Sequence, residues 1–419
     1  MDKIVIKGPN QLKGSVQMSG AKNAVLPIMA ATLLASGKFE IRNVPNLRDV
    51  KTMAHLLRII GAQVEYSDHK LRIDSSNCNF FEAPYELVKT MRASVYVLGP
   101  LLARFAKAKV SLPGGCAIGT RPVDLHIRGL QQLGANIELK HGYMVGTAEK
   151  LRGAHINFDI SSVGATGNIL MAAVLSDGRT VIENAAREPE ITNLAKFLQK
   201  MGAEIEGVGT SQLQIHGVKE LSPVDFDIIP DRIEAATFLL AAAISSGEIV
   251  LNSVDAAHVG SLIAKLREAG VYVEEGQTSI FCKSPERIKP VNITTAPYPG
   301  FPTDLQAQWM ALMCLAHGSS VIRDNIFVDR FTHVAELRRL GAQIELSENV
   351  AVVKGVPNFN GASLMSTDLR ASASLILAGL AARGRTEVLR VYHIDRGYET
   401  IEKKLENLGA DIWREEGSY

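Results

Sequence analysis

A helical pattern ending in Gly-Ala recurs six times along the chain and restricts it to a repeat architecture. It reads Leu57-Arg58-Ile59-Ile60-Gly61-Ala62, Leu130-Gln131-Gln132-Leu133-Gly134-Ala135 and Leu198-Gln199-Lys200-Met201-Gly202-Ala203. It continues as Leu266-Arg267-Glu268-Ala269-Gly270-Val271, Leu337-Arg338-Arg339-Leu340-Gly341-Ala342 and Leu405-Glu406-Asn407-Leu408-Gly409-Ala410. The glycines step by 73, 68, 68, 71 and 68 residues. Gly is the usual helix stop because it adopts the left-handed C′ conformation cheaply. Short alternating stretches follow, such as Gln343-Ile344-Glu345-Leu346, and then a second strand such as Val350-Ala351-Val352-Val353. A second marker, an Ala/Leu-rich helix stopped by Gly before a β-branched strand, falls at Gly37, Gly178, Gly247, Gly318 and Gly384. The second unit carries Ala106-Lys107-Ala108 there instead. Each unit of roughly 70 residues therefore reads strand, helix, strand, helix, strand, strand, an α/β fold of βαβαββ units.

The sixth unit ends after Ala410-Asp411-Ile412-Trp413 and lacks its last strand, while Lys3-Ile4-Val5-Ile6-Lys7-Gly8 is similar to Val352-Val353-Lys354-Gly355. The N-terminal segment is therefore expected to complete the C-terminal half. Two three-unit domains are predicted: residues 21–229, carrying the Cys116 loop, and residues 1–20 with 230–419. A double crossover near 20 and 229 would make a hinge with a cleft. The competing arrangement is one continuous six-unit solenoid, which leaves a strand edge unpaired at the terminus.

Lys and Arg total 45 against 44 Asp and Glu, a net charge of +1. That balance argues against a nucleic-acid coat or a polybasic membrane anchor. No apolar run reaches the roughly 18 residues of a membrane helix, and Met1-Asp2-Lys3-Ile4-Val5 lacks an export signal. A cytoplasmic protein is expected. Cys78, Cys116, Cys282 and Cys314 lie far apart with no CxxC or Cys/His spacing, so neither a disulfide framework nor a metal site is expected.

The turns before the first helix of each unit hold the unusual residues: Ser19 to Asn23, Met91 to Ser94, Ser161 to Thr166, Pro230 to Arg232, Pro302 to Gln306 and Thr367 to Arg370. Helix N-termini expose free N–H groups and bind anions. Arg48, Arg121, Arg187, Arg330 and Arg396, at the starts of second helices, would add positive charge for a phosphate-bearing ligand. The bland alternative makes the Asp, Ser and Thr residues N-caps and the arginines weak surface partners. Lys22 resists it, because a cation at a helix start opposes the dipole unless an anion sits there. The segment Ser111 to Pro122 departs from the repeat with a Gly-rich loop. Cys116, five residues before Arg121, has the surroundings of a reactive thiol. Asp304 reads equally as a cap or a base. His126 and His393 flank the same turns as packing or pairing residues. Dinucleotide, P-loop and zincin motifs are absent.

Ser19-Gly20-Ala21-Lys22-Asn23-Ala24, the run Leu112 to His126, Ser162-Val163-Gly164-Ala165-Thr166, Asn184 to Glu190, Pro230 to Glu234 and Thr367-Asp368-Leu369-Arg370-Ala371 together resemble the UDP-N-acetylglucosamine enolpyruvyl transferase family along almost the whole chain. The resemblance implies two inside-out α/β domains, each a threefold set of βαβαββ units. It implies transfer of the enolpyruvyl group of phosphoenolpyruvate to the 3′-hydroxyl of UDP-N-acetylglucosamine with release of phosphate, the first committed step of peptidoglycan synthesis. No cofactor is implied, and self-association is left open. Cys116 matches the proton donor, Asp304 the acceptor of the 3′-hydroxyl proton, and Lys22, Arg121 and Arg396 the phosphoenolpyruvate-binding positions. Asn23, Arg92, Arg121, Pro122, Val123, Asp124, Leu125, Ser162, Val163, Gly164 and Ile326 match sugar-nucleotide contacts. Arg330 and Arg370 are expected as supporting cations, and Asp368 joins the binding set. Ile160 stands near a position that is basic in some members, and Gly167 stands where Glu is expected. Other readings are 5-enolpyruvylshikimate-3-phosphate synthase, an inactive paralogue that binds a UDP-sugar, and a repeat scaffold.

Overall fold

The computed structural model describes residues 2–112 and 123–417. Cys116, Arg121 and Pro122 lie outside them. The described residues divide into two compact units, 2–19 with 230–417 and 20–112 with 123–229.

Six four-stranded sheets, three per unit, share one topology. In each, a short strand pairs parallel with the strand beyond the first helix. Two antiparallel strands then complete the sheet, the last in sequence lying inside. The sixth sheet shows the pattern with a substitution. Gly384–Leu389 pairs parallel with Ser363–Met365 and antiparallel with Lys3–Gly8, which in turn pairs with Ile412–Glu415. The N-terminal strand thus fills the inner position the sixth unit lacks. Two further exchanges go beyond the sequence reading. Lys13–Gln17 supplies the outer parallel strand for Glu248–Asn252, and Asp225–Asp227 supplies the one for Lys38–Arg42. Ser19 is fixed within its unit: its N–H donates to Glu234 Oε2 (2.6 Å), and Lys404 Nζ bonds both Ser19 Oγ and Glu234 Oε1 at 2.7 Å.

The sheets are outermost because their strands alternate, as in Val350–Lys354, where Ala351 and Val353 are buried and Val352 and Lys354 exposed, and one face can meet water. The first helices have no such polar face. In Arg232–Ile244 every residue from Ile233 onward is buried, and Gln306–Met313 is buried throughout, as is Leu369–Ala381 from Arg370 to Leu380. These three helices pack on one another at the centre of their unit. Lys22–Ala31, Leu98–Phe105 and Val163–Ala173 occupy the corresponding place in the other. A helix apolar all round is stable only when enclosed.

All six repeat glycines are left-handed, with φ between 92° and 110°, so each second helix ends where the pattern places its stop. At the other marker two units differ. Ala106 (φ 60°) takes the left-handed position of the second unit, and Ser246 (φ 52°) takes it in the fourth, one residue before Gly247. A further recurrence lies inside the motif. The residue after its Leu reaches over the turn to a strand carbonyl six residues on: Arg58 to Val64 (2.6 Å), Gln131 to Ile137 (3.4 Å), Gln199 to Ile205 (2.8 Å), Arg267 to Val273 (2.9 Å) and Arg338 to Ile344 (2.5 Å). The sixth unit has Glu406, which when ionised is an acceptor only.

Ile4, Val5 and Ile6 of the N-terminal strand are fully buried. At about 1.5–3 kcal/mol each, their removal approaches the ~5–15 kcal/mol net stability of a typical protein. Deleting residues 2–8 should abolish cooperative unfolding of the unit that contains 230–417, measured by urea denaturation. A normal transition in the truncated chain would show that the strand is dispensable.

Candidate active site

The 3-10 turn Thr303–Leu305 opens the Gln306–Met313 helix without any side-chain cap, so Asp304 is not spent on capping. Its carboxylate is held by two arginines instead. Arg330 NH2 lies 2.8 Å from Oδ1 and Arg370 NH2 lies 3.0 Å from Oδ2. The arginine side chains are only 7% and 8% exposed, whereas Asp304 keeps 26% exposure, so the carboxylate can be reached from solvent while its clasp cannot. Burial pushes the Asp304 pKa up, but Arg370 and Arg330 outweigh it and hold the group far below the usual carboxylate range.

Each arginine is fixed from behind. Arg370 NH1 donates to the Tyr398 hydroxyl (3.2 Å), which lies 2.8 Å from Thr237 Oγ1. The Thr237 proton already goes to the Ile233 carbonyl (2.8 Å), so Tyr398 must donate to Thr237 and turn its lone pairs to Arg370. Arg330 NH1 donates to Thr303 Oγ1 (3.1 Å). Asp368 caps Leu369–Ala381 through the N–H groups of Arg370 (2.8 Å) and Ala371 (3.0 Å), and its other oxygen accepts from Thr332 (3.2 Å). Ile326 is 37% exposed, and its N–H is held by Asp324 Oδ1 at 2.9 Å. Arg396 closes the 3-10 helix Val391–Arg396 and is half-buried.

In the unit of residues 20–229, Lys22 begins the helix Lys22–Ala31 and meets a counter-anion from the chain itself. Asp49 Oδ2 stands 2.7 Å from its ammonium, with the two side chains 12% and 4% exposed. The unfavourable dipole at that position is therefore offset by a carboxylate from the neighbouring helix, a partner the sequence reading missed. Asn23, Arg92, Val123, Leu125, Ser162, Val163 and Gly164 are half-buried. Ser162 caps its helix through Ala165 N–H at 3.3 Å. Asp124 Oδ1 is buried without a hydrogen-bond partner among the described residues. Arg48 and Arg187 lie exposed.

His126 is the most constrained group here. Asn168 Oδ1 accepts from Gly99 N–H (2.6 Å), so its Nδ2 is the donor to Val95 O (2.8 Å) and to His126 Nδ1 (3.0 Å). The imidazole proton therefore sits on Nε2, the atom that a Cβ on Gly164 would meet at 3.0 Å. Gly167, where Glu was expected, leaves room for Tyr96: a Cβ there would lie 2.9 Å from Tyr96 Cε1. Cys282 and Cys314 are packed thiols pushed up to about 12 by burial, and burial also raises the half-buried Cys78.

The structure thus gathers Asp304, Arg330, Arg370 and Asp368 in one unit, and Arg92, His126 and the 162–164 turn in the other. Among the described residues no cluster of His, Cys, Asp and Glu could hold a metal, and no helix is long and apolar enough to cross a membrane. The fold of helices ringed by four-stranded sheets is shared with solved enolpyruvyl transferases. The crystal structure of the enolpyruvyl transferase NikO from Streptomyces tendae matches with a TM-score of 0.89 at 28% identity, covering 99% of this chain and 98% of that one. EPSP synthase from Acinetobacter baumannii shares the fold, with a TM-score of 0.77 at 18% identity over 99% and 100% of the chains.

A family model described as EPSP synthase (3-phosphoshikimate 1-carboxyvinyltransferase) matches residues 6–405, and the chain belongs to this family of carboxyvinyl transferases. Among its relatives, the UDP-N-acetylglucosamine 1-carboxyvinyltransferase of Geobacter metallireducens is 57% identical over 414 residues, 99% of each protein. The protein of the same name from Chloroherpeton thalassium is 58% identical over 418 residues, 99% of this chain and 97% of that one.

Burial pushes the pKa of His126 and of His333 down to about 4. The unfolded chain, with histidines near 6.5, binds more protons between those values, so stability rises with pH across the window and falls as pH drops through it. The urea midpoint should therefore increase between about pH 4.5 and pH 6.5, with His126 remaining the neutral Nε2–H tautomer by nitrogen-15 NMR at about pH 5.5. An imidazole titrating near 6.5 would contradict this.

Proposed function

We propose that this chain transfers the enolpyruvyl group of phosphoenolpyruvate to the 3′-hydroxyl of UDP-N-acetylglucosamine, releasing phosphate, as the first committed step of peptidoglycan synthesis in the cytoplasm. The observation that carries the reading is full-length identity of 54–58% to proteins named for this activity, together with a solvent-accessible carboxylate clasped by buried guanidinium groups at Asp304. The shikimate-phosphate alternative rests on the description of the family model matched over residues 6–405 and on the 18% likeness of the solved EPSP synthases, which speaks for fold alone.

Lys22, Arg121 and Arg396 receive the carboxylate and phosphate of phosphoenolpyruvate. Asn23, Arg92, Val123 to Leu125, Ser162 to Gly164 and Ile326 receive the sugar nucleotide. The 3′-oxygen bonds to the substituted enol carbon while the methylene carbon takes a proton from the Cys116 thiol, giving a tetrahedral adduct. That adduct then expels phosphate while the Cys116 thiolate takes back one methyl proton, which restores the double bond and the thiol. A thiol titrates near ~8.5 unperturbed, and nearby cations bring it toward neutrality. Asp304, ionised until attack, orients the hydroxyl and accepts its proton late, once attack has made that oxygen acidic. A group so weakly basic is a poor proton acceptor in the ground state, so its catalytic value lies in position.

Phosphate release should require both substrates, and shikimate-3-phosphate should not replace the UDP-sugar. Asp304→Asn should lower kcat about 10²–10⁴-fold, and the epoxide fosfomycin should label Cys116. Full activity in Asp304→Asn, or phosphate release with shikimate-3-phosphate instead, would overturn the proposal.

A further inference from the structure

Asp324 follows the strand Ser319–Arg323 and is fully buried, yet it faces no cation at hydrogen-bond distance among its described bonds. Its carboxylate accepts four neutral donors. Oδ1 takes the Thr295 hydroxyl (2.7 Å) and the N–H groups of Ile326 and Phe327 (both 2.9 Å), and Oδ2 takes the Thr303 hydroxyl (2.7 Å). Thr303 precedes Asp304 in the chain.

A threonine hydroxyl has one proton and two lone pairs. The proton of Thr303 is committed to Asp324, so Oγ1 presents only lone pairs to Arg330 NH1, 3.1 Å away. Two acceptors therefore locate the Arg330 guanidinium: Thr303 on NH1 and Asp304 on NH2. Its Nε is buried with no hydrogen-bond partner among the described residues. Losing the Thr303 contact would leave Asp304 as the group's one hydrogen-bond acceptor among the described residues, beside the Phe327 ring at 5.5 Å. The other Asp324 oxygen, Oδ1, fixes the segment that presents Ile326.

We propose that Asp324 and Thr303 form a positioning relay: Asp324 dictates the direction of the Thr303 hydroxyl, which holds Arg330 in the orientation that clasps Asp304. The relay ties the proton acceptor to the Ile326 segment, where the sugar nucleotide is received. It rests on the transferase reading above for its kinetic consequence, but not for its geometry.

Thr303→Val removes the hydroxyl at nearly constant shape and leaves the other three bonds to Asp324 in place, while Thr303→Ser keeps it. The relay predicts that Thr303→Val lowers kcat about tenfold or more with the KM for UDP-N-acetylglucosamine little changed, that the urea midpoint falls because the buried Asp324 Oδ2 loses its donor, and that Thr303→Ser recovers most of both losses. In an Arg330→Lys background, where the planar fork that reaches the two acceptors with separate nitrogens is gone, Thr303→Val should add little further loss, the non-additivity of residues acting as a unit. Equal kcat in the Val and Ser variants, or the same fold loss in both backgrounds, would overturn it. A readout independent of turnover is the Arg330 side-chain NMR spectrum. Separate Nη–H signals in the native and Ser proteins should merge through faster guanidinium rotation in Thr303→Val, and an unchanged spectrum there would also overturn the relay. Wild-type protein that releases no phosphate from the two substrates would refute the transferase reading alone, leaving the relay to be judged by that spectrum.

Discussion

A helix enclosed on every side can carry chemistry only at its ends, and that constraint organises both units. Arg232–Ile244, Gln306–Met313 and Leu369–Ala381 are filled with Ala, Leu, Ile, Met and Phe because each packs against two others and against sheets. Charged groups are excluded from their middles by the cost of desolvation. Their first turns are different: free backbone N–H groups demand acceptors there, and those acceptors become the polar features of the unit. Asp231 and Asp368 meet the demand directly as caps. Asp304 does not, and its carboxylate is available to the arginines and to solvent.

This constraint explains what could be read from the chain. The six glycines, the apolar first helices and the missing strand of the sixth unit are local signals, because a left-handed stop and a period-2 strand depend on neighbours in sequence. The two outer strands, Lys13–Gln17 and Asp225–Asp227, were not legible as exchanges: each is short and mostly exposed, and its partner lies in the sequence far away. The stop at Ser246 was missed because any residue can take the left-handed position when packing outweighs its modest cost.

The site divides in the same way. Residue types at helix starts pointed to Asp304, Arg330, Arg370 and Lys22, but the partners that fix them are tertiary. Asp49 comes from the following helix, Tyr398 from a turn 94 positions beyond Asp304, and Asp324 from the end of a strand. None has a sequence spacing that marks it. What could have been noticed is the Thr303-Asp304 pair itself, a hydroxyl beside a carboxylate that does not cap. His126, read as a packing or pairing residue, proves to be one with an assigned tautomer. The cap reading of Asp304 is excluded, since a carboxylate serving as a cap would have faced backbone N–H groups and this one faces two arginines.

Everything chemical proposed for Asp304 depends on its remaining ionised inside that clasp. The direct measurement is the carbon-13 shift of its carboxyl carbon between about pH 7 and about pH 3. A constant shift across this range is the expected result, because Arg330 and Arg370 hold the proton off. A titration at or above the ordinary value of about 3.9 would mean that the arginines do not grip the carboxylate, and the account of the site would fail.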